Sequence, residues 1–134
     1  MCMKLESTVW PYEQDKVVFY KLFSFNTVSN KYTESPCYEF MWEQGINKSF
    51  IDNYHIIQEI LEGRVRHGFH VFINKKDAEY VRDFMFARNN RLIEVVGKKE
   101  DFIGIGLWSD NEKTQQAVFK NLEITLEEWN KLCA

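Results

Sequence analysis

Several things are scarce in this 134-residue sequence, and each shortage removes a class of function. There are three cysteines, Cys2, Cys37 and Cys133, odd in number and widely spaced, with no CxxC. That pattern suits reduced thiols rather than a disulfide framework and places the chain in a cytoplasmic setting. A zinc site needs close ligand pairs, and the nearest approach is His67 with His70 beside a distant Cys37 and His55, so no metal is expected. No apolar run reaches the roughly 20 residues of a membrane span, and the amino terminus MCMKLESTVW lacks a basic end followed by an apolar block, so no membrane partner is expected. Neither charge sign is in surplus: 17 basic against 20 acidic residues leave a net charge of -3, which gives no field to draw the chain onto nucleic acid.

Motifs are missing too. The Walker pattern, the G-x-S-x-G elbow and the H-E-x-x-H helix are absent, which leaves NTPase and hydrolase readings without direct support. Gly104-Ile105-Gly106 lacks the third glycine and the following helix of a dinucleotide fingerprint, and Leu107-Trp108 continues a strand. Close backbone approach or a bulge explains these glycines better. The carboxylates Glu39, Glu43, Glu59, Glu94 and Asp101 are scattered, with no spacing that forces an acid–base pair, and Glu94 reads as the outward residue of a half-buried strand. No catalytic residue and no cofactor is therefore expected.

What is present is core material. Hydrophobic residues make up 45 % of the chain and aromatics 16 %, enough for a single domain over residues 1–134 with a core from about 16 to 132. Lys16–Phe25 alternates as a strand, Asn26–Pro36 reads as an exposed loop or long hairpin connection, and Cys37–Trp42 as a second strand. Ser49 is placed to cap a turn into Phe50–Tyr54, and Ile56–Leu61 fits a short helix stopped by Gly63, with a buried strand as the alternative. Gly68–Ile73 is a buried strand. Asn74 caps a helix from Lys75 to about Arg88, with Ala78, Val81, Phe84 and Met85 on its apolar stripe. Arg91–Gly97, Asp101–Trp108 and Gln115–Ile124 follow as strands, and Thr125 with Glu128 forms a capping box for a terminal helix that docks through Leu126, Trp129 and Leu132. The sum is an α+β domain, mostly antiparallel sheet with two or three helices.

The stretch Arg64-Val65-Arg66-His67-Gly68-Phe69-His70-Val71-Phe72 holds the candidate binding residues. In an extended chain Arg64 and Arg66 share one side, so two guanidiniums can converge on an anion, with His67 and His70 nearby. The plainer account has the arginines pairing with Glu59, Glu62 or solvent, and His70 as a core residue.

Tyr20-Lys21, Ser35-Pro36, Tyr38-x-Phe40-x-Trp42-Glu43-x-Gly45-x-Asn47, Gly68-Phe69-His70-Val71-Phe72, Asp77-Ala78, Ile93-Glu94-Val95 and Ala117-Val118-Phe119 occur in that order. This set resembles a W-E-x-G … G-[FY]-H-x-F … D-A pattern in small uncharacterised proteins of bacteria and their phages, over about residues 16–124. The resemblance implies an α+β domain of phage or prophage origin and no established activity. The V-x-Y-K first strand and G-F-H-x-F strand also resemble mono-ADP-ribosyltransferase-like folds. Those usually carry a histidine or arginine in the first strand, which Lys16–Phe25 lacks, and Glu94 or Glu123 would be an unsupported catalytic acid. Two functions are weighed. One is a noncatalytic binding or interaction module, a phage-encoded modulator of a host protein. The other is a nucleotide-binding protein or ADP-ribosyltransferase-like enzyme using Arg64, Arg66, His67 and His70. The partner is accordingly a protein or a small anionic ligand.

Overall fold

A computed structural model describes residues 3–26, 31–35, 38–84, 90–109 and 111–133, with only the backbone course given for 25, 26, 31–35 and 38–41. The elements run β1 (Met3–Ser7), β2 (Lys16–Asn26), β3 (Lys31–Ser35), β4 (Tyr38–Met41), β5 (Gly45–Lys48), α1 (Asn53–Glu62), β6 (Arg64–Val65), β7 (Phe69–Phe72) and α2 (Lys75–Phe84). They continue with β8 (Arg91–Lys98), a 3-10 turn (Lys99–Asp101), β9 (Phe102–Trp108), β10 (Asn111–Phe119), β11 (Asn121–Ile124) and α3 (Leu126–Cys133). Nine strands form one antiparallel path in the order β5-β11-β8-β2-β7-β10-β9-β1-β6, and the β3–β4 hairpin attaches to β2. The class is α+β with a mostly antiparallel sheet. Among the described residues no helix is long and apolar enough to cross a membrane.

The strands are apolar on both sides, and both sides are covered. Phe19 and Phe23 of β2, Phe69 and Val71 of β7, Ile93 and Val95 of β8, and Ala117 and Phe119 of β10 meet Trp42, Leu122, Ile124 and Leu132 in the main cluster. The alternate positions face away and are backed by helices. Leu22, Phe72 and Trp108 pack on Ala78 and Val81 of α2, while Met3, Val65, Ile103 and Val118 pack on Ile56 of α1.

The path has one narrow seam. β2 pairs with β8 over eight positions, from Lys16 opposite Lys98 to Phe23 opposite Arg91, but meets β7 only where Tyr20 faces Phe72. Lys21 spans that seam: its buried ammonium donates to the His70 carbonyl at 2.9 Å and lies 5.3 Å from the centre of the Trp42 ring. A cation–π contact and a charge-assisted bond offset its desolvation.

Several expectations need correcting. The 26–36 segment, read as a loop or hairpin connection, contains strand β3, and β1 and β5 are strands in segments the sequence reading left unassigned. Gln115–Ile124 is two strands, β10 and β11, broken at Lys120. Ile56–Leu61 is helical as the favoured reading has it, within a longer helix Asn53–Glu62 capped by Asp52, and Ser49 Oγ, expected to cap a turn into Phe50–Tyr54, has no hydrogen-bond partner among the described residues. Phe84 and Leu126 are exposed instead of docked. Met85 to Arg88 lie outside the described residues. The α3 capping box is half formed: Glu128 N–H donates to Thr125 Oγ1 at 3.3 Å, but the Glu128 carboxylate accepts from Glu94 N–H and Lys131 Nζ. The glycines of β9 are there for close approach, since a side chain at Gly106 would overlap the Lys4 carbonyl oxygen of β1.

Candidate functional site

Helix α1 organises the most structured cluster of polar side chains among the described residues. Asp52 is extended at φ -81 and ψ 159, and its carboxylate accepts from His55 N–H at 2.9 Å and faces His55 Nδ1 at 2.8 Å. Gly63 ends the helix in the left-handed region at φ 76, its N–H turned back to the Glu59 and Ile60 carbonyls. Three residues after Ile56, Glu59 falls on the inward face and is only 6 % exposed.

The chain then returns over Glu59. One carboxylate oxygen accepts from the backbone N–H groups of Arg66 and His67, and the other faces His67 Nδ1 at 2.7 Å. Gly68, at φ 88, turns the chain into β7, and a Cβ there would meet Val118 Cγ1 at 2.8 Å and the Phe119 carbonyl oxygen at 3.1 Å. Burial raises the Glu59 carboxyl, but the His67 and Arg66 N–H groups and the His67 imidazole outweigh it and hold the group below its usual range. Asp52 is likewise lowered, first by the backbone N–H of His55 and then by its ring.

Two imidazoles are thus each held at Nδ1 by a carboxylate. Bonded that way, a neutral ring carries its proton on Nδ1 and keeps the Nε2 lone pair. The His55 and His67 rings lie 6.2 Å apart at 54°. They line a cleft of about 260 Å³ with Ser49, Phe50, Ile51, Asp52 and Gly68. Ser49 Oγ is closed off from solvent and hydrogen-bonds neither ring, so it makes no Ser–His relay. Phe50 sits at φ 57, a left-handed conformation costly for a residue with a bulky side chain, and its ring is 85 % exposed.

The four residues expected to form a basic site are distributed differently. Arg64 and Arg66 are exposed on either side of buried Val65, and neither guanidinium has a partner among the described residues. Glu59, considered as a partner for these arginines, is engaged with His67 and backbone instead. His67 joins His55. His70 is 7 % exposed within β7, and neither ring nitrogen has a hydrogen-bond partner among the described residues. Burial, reinforced by the charge of Lys21, lowers its pKa to about 3, so the ring is neutral at physiological pH and shares no open cleft with the arginines.

A second feature of α1 concerns its outer surface. Tyr54, Ile57 and Leu61 stand 67 %, 57 % and 81 % exposed at helical spacing. A larger cleft of about 390 Å³ between α2 and α3 is lined by Lys75, Arg82 and Lys131 against Glu79, Glu94 and Glu128, a balance that favours neither sign of ligand. Sequence reading missed Asp52, Glu59 and the outward α1 stripe. The available signal was position: on a helix containing Ile56 and Ile60, Glu59 shares their face and cannot be on the solvated one. Comparison of the chain with protein-family models, with curated proteins and with solved structures finds no match.

Proposed function

We propose that the chain is a noncatalytic interaction module that docks on a partner protein through the outward face of α1. The exposed Tyr54–Ile57–Leu61 stripe carries this reading. Ile56 and Ile60 tie the helix to the sheet, so α1 is apolar on two sides, and such a helix is at its lowest free energy when both are covered. The spacing of i, i+3 and i+7 is that by which a helix seats in an apolar groove. Isolated surface residues such as Val9 and Ile46 need no such account.

Arg64 and Arg66 follow directly on the α1 cap and have no ion-pair partner among the described residues, which fits a groove with an acidic rim. Rim charges of this kind steer encounter and select partners more than they hold them. A phage- or prophage-encoded, cytoplasmic modulator of a host protein is the setting that agrees with the pattern resemblance and with cysteines that lack pair spacing. The nucleotide-binding alternative lacks a supporting observation, since His70 is buried and the carboxylates of Asp52 and Glu59 stand beside the imidazoles.

Affinity capture with the wild type, with Ile57→Asp/Leu61→Asp and with Arg64→Ala/Arg66→Ala tests the reading once all three are shown to melt alike. The expected result is a partner that forms a defined complex with the wild type, is lost with the aspartates, and binds the alanine variant more weakly. Salt should weaken the wild-type complex in the same way. A complex indifferent to both pairs overturns the reading. So does wild-type self-association abolished by the aspartates, which assigns the face to a second copy.

A further inference from the structure

We propose that His55 and His67 form an open two-histidine site for a divalent transition-metal ion of the zinc class. The inference is independent of the docking reading. Three observations carry it. Each ring has its Nδ1 taken by a carboxylate, Asp52 at 2.8 Å and Glu59 at 2.7 Å, which leaves Nε2 as the donor on both. A carboxylate behind a ligating histidine fixes ring orientation and raises ligand basicity. Glu59 is itself buried and anchored by two backbone N–H groups, so the His67 ring is oriented before any ion arrives.

The rings share one cleft at 6.2 Å. Two imidazoles on one tetrahedral ion, with metal–nitrogen bonds of about 2.0–2.1 Å, have ring centres about 5 Å apart. Chelation would require the rings to close by about an ångström, a rotation within reach of the exposed His55 side chain.

Charge decides between an ion and an anion. The carboxylates of Asp52 and Glu59 stand directly behind the two rings, and negative charge there attracts a cation and repels phosphate. Imidazole nitrogen selects zinc-class ions over magnesium and calcium, which take oxygen. Among the described residues no group of three or more His, Cys, Asp and Glu side chains is arranged to hold a metal. An ion held by the two imidazoles alone would take its other ligands from solvent.

Zinc ion alone is the probe, followed by calorimetry and by the NMR signals of the imidazole carbon protons. The expected result is one-to-one binding that shifts the His55 and His67 signals together. His55→Ala and His67→Ala should each weaken binding at least tenfold. Glu59→Gln, which keeps both rings, should weaken it about 10- to 100-fold, the usual effect of removing a carboxylate behind a ligating histidine. Ile57→Asp should leave it unchanged. No binding at a large excess of zinc overturns the proposal, as does binding that survives His55→Ala, which would place the ion on the chain's thiols.

Discussion

Replacing Glu59 by glutamine tests whether a buried carboxylate holds the turn between β6 and β7 to α1. The wild-type carboxylate accepts three bonds, from Arg66 N–H, His67 N–H and His67 Nδ1. The carboxamide oxygen of glutamine can keep the two backbone donors, but its NH2 group then faces Nδ1, and the imidazole must move its proton to Nε2. Each bond falls from charge-assisted to neutral, a difference of about 1 kcal/mol apiece, so the variant should lose about 2–3 kcal/mol at neutral pH. For a domain of this length that is a Tm lowered by roughly 6–12 °C. The sign of the pH dependence follows from the lowered folded-state pKa of Glu59. Its contribution is complete above the unfolded carboxyl range near 4.5 and is lost as pH falls through the lower folded value. Melting curves of both proteins from pH 7 down to pH 3 should therefore converge in acid. Equal Tm values at pH 7, or a gap that stays constant to pH 3, would refute the reasoning.

Two further outcomes are expected from the fold. Gly106→Ala places a methyl group on the Lys4 carbonyl oxygen, so β1 must part from β9; a loss of several kcal/mol and of hydrogen-exchange protection in β1 is expected, and unchanged protection would contradict the close approach. Lys21→Met keeps the length of the side chain but leaves the His70 carbonyl without its ammonium donor, which should cost about 1–3 kcal/mol in urea denaturation, and a midpoint equal to or above that of the wild type would show that the seam does not need the charge.

The long elements were legible in the sequence because their periodicity is long enough to be unambiguous. Lys16–Phe25 alternates over ten residues and is β2, and Ala78 with Val81 marks the inward face of α2. Phe69 and Val71 are buried, as expected of the Gly68–Ile73 strand. In the Arg64–Phe72 stretch both arginines are exposed around buried Val65, but the strand covers only Arg64–Val65 and His67 is exposed as well. The candidate site was not legible. His67 was grouped with His70, three residues away in sequence, whereas the fold brings it to His55, twelve residues back. That pairing depends on Gly63 reversing the chain at φ 76 and on Glu59 being inward, and neither the reversal's direction nor the depth of Glu59 is encoded in local alternation.

The charges that proved hardest to place share one physical setting: each lies where regular backbone hydrogen bonding stops. β2 and β7 separate after a single pair, and Lys21 donates to the carbonyl left beyond it. β11 meets β8 only where Glu123 faces Val96, and the carboxylate of Glu128 accepts the Glu94 N–H past that point at 3.1 Å. The last turn of α3 leaves carbonyls at Lys131 and Leu132, and Arg91 donates to both. After β6, the N–H groups of Arg66 and His67 have no strand to pair with, and Glu59 accepts both. A buried backbone group without a partner costs about as much as a lost hydrogen bond, so a nearby charge that satisfies it offsets part of its own desolvation. Read from sequence, Lys21, Glu59 and Arg91 are ordinary surface charges and Glu128 a capping-box residue, because nothing in local alternation tells where a neighbouring strand will end. Of the four, the Glu59 position also grips a half-exposed imidazole, so the contact that closes the turn holds a ring that lines the cleft.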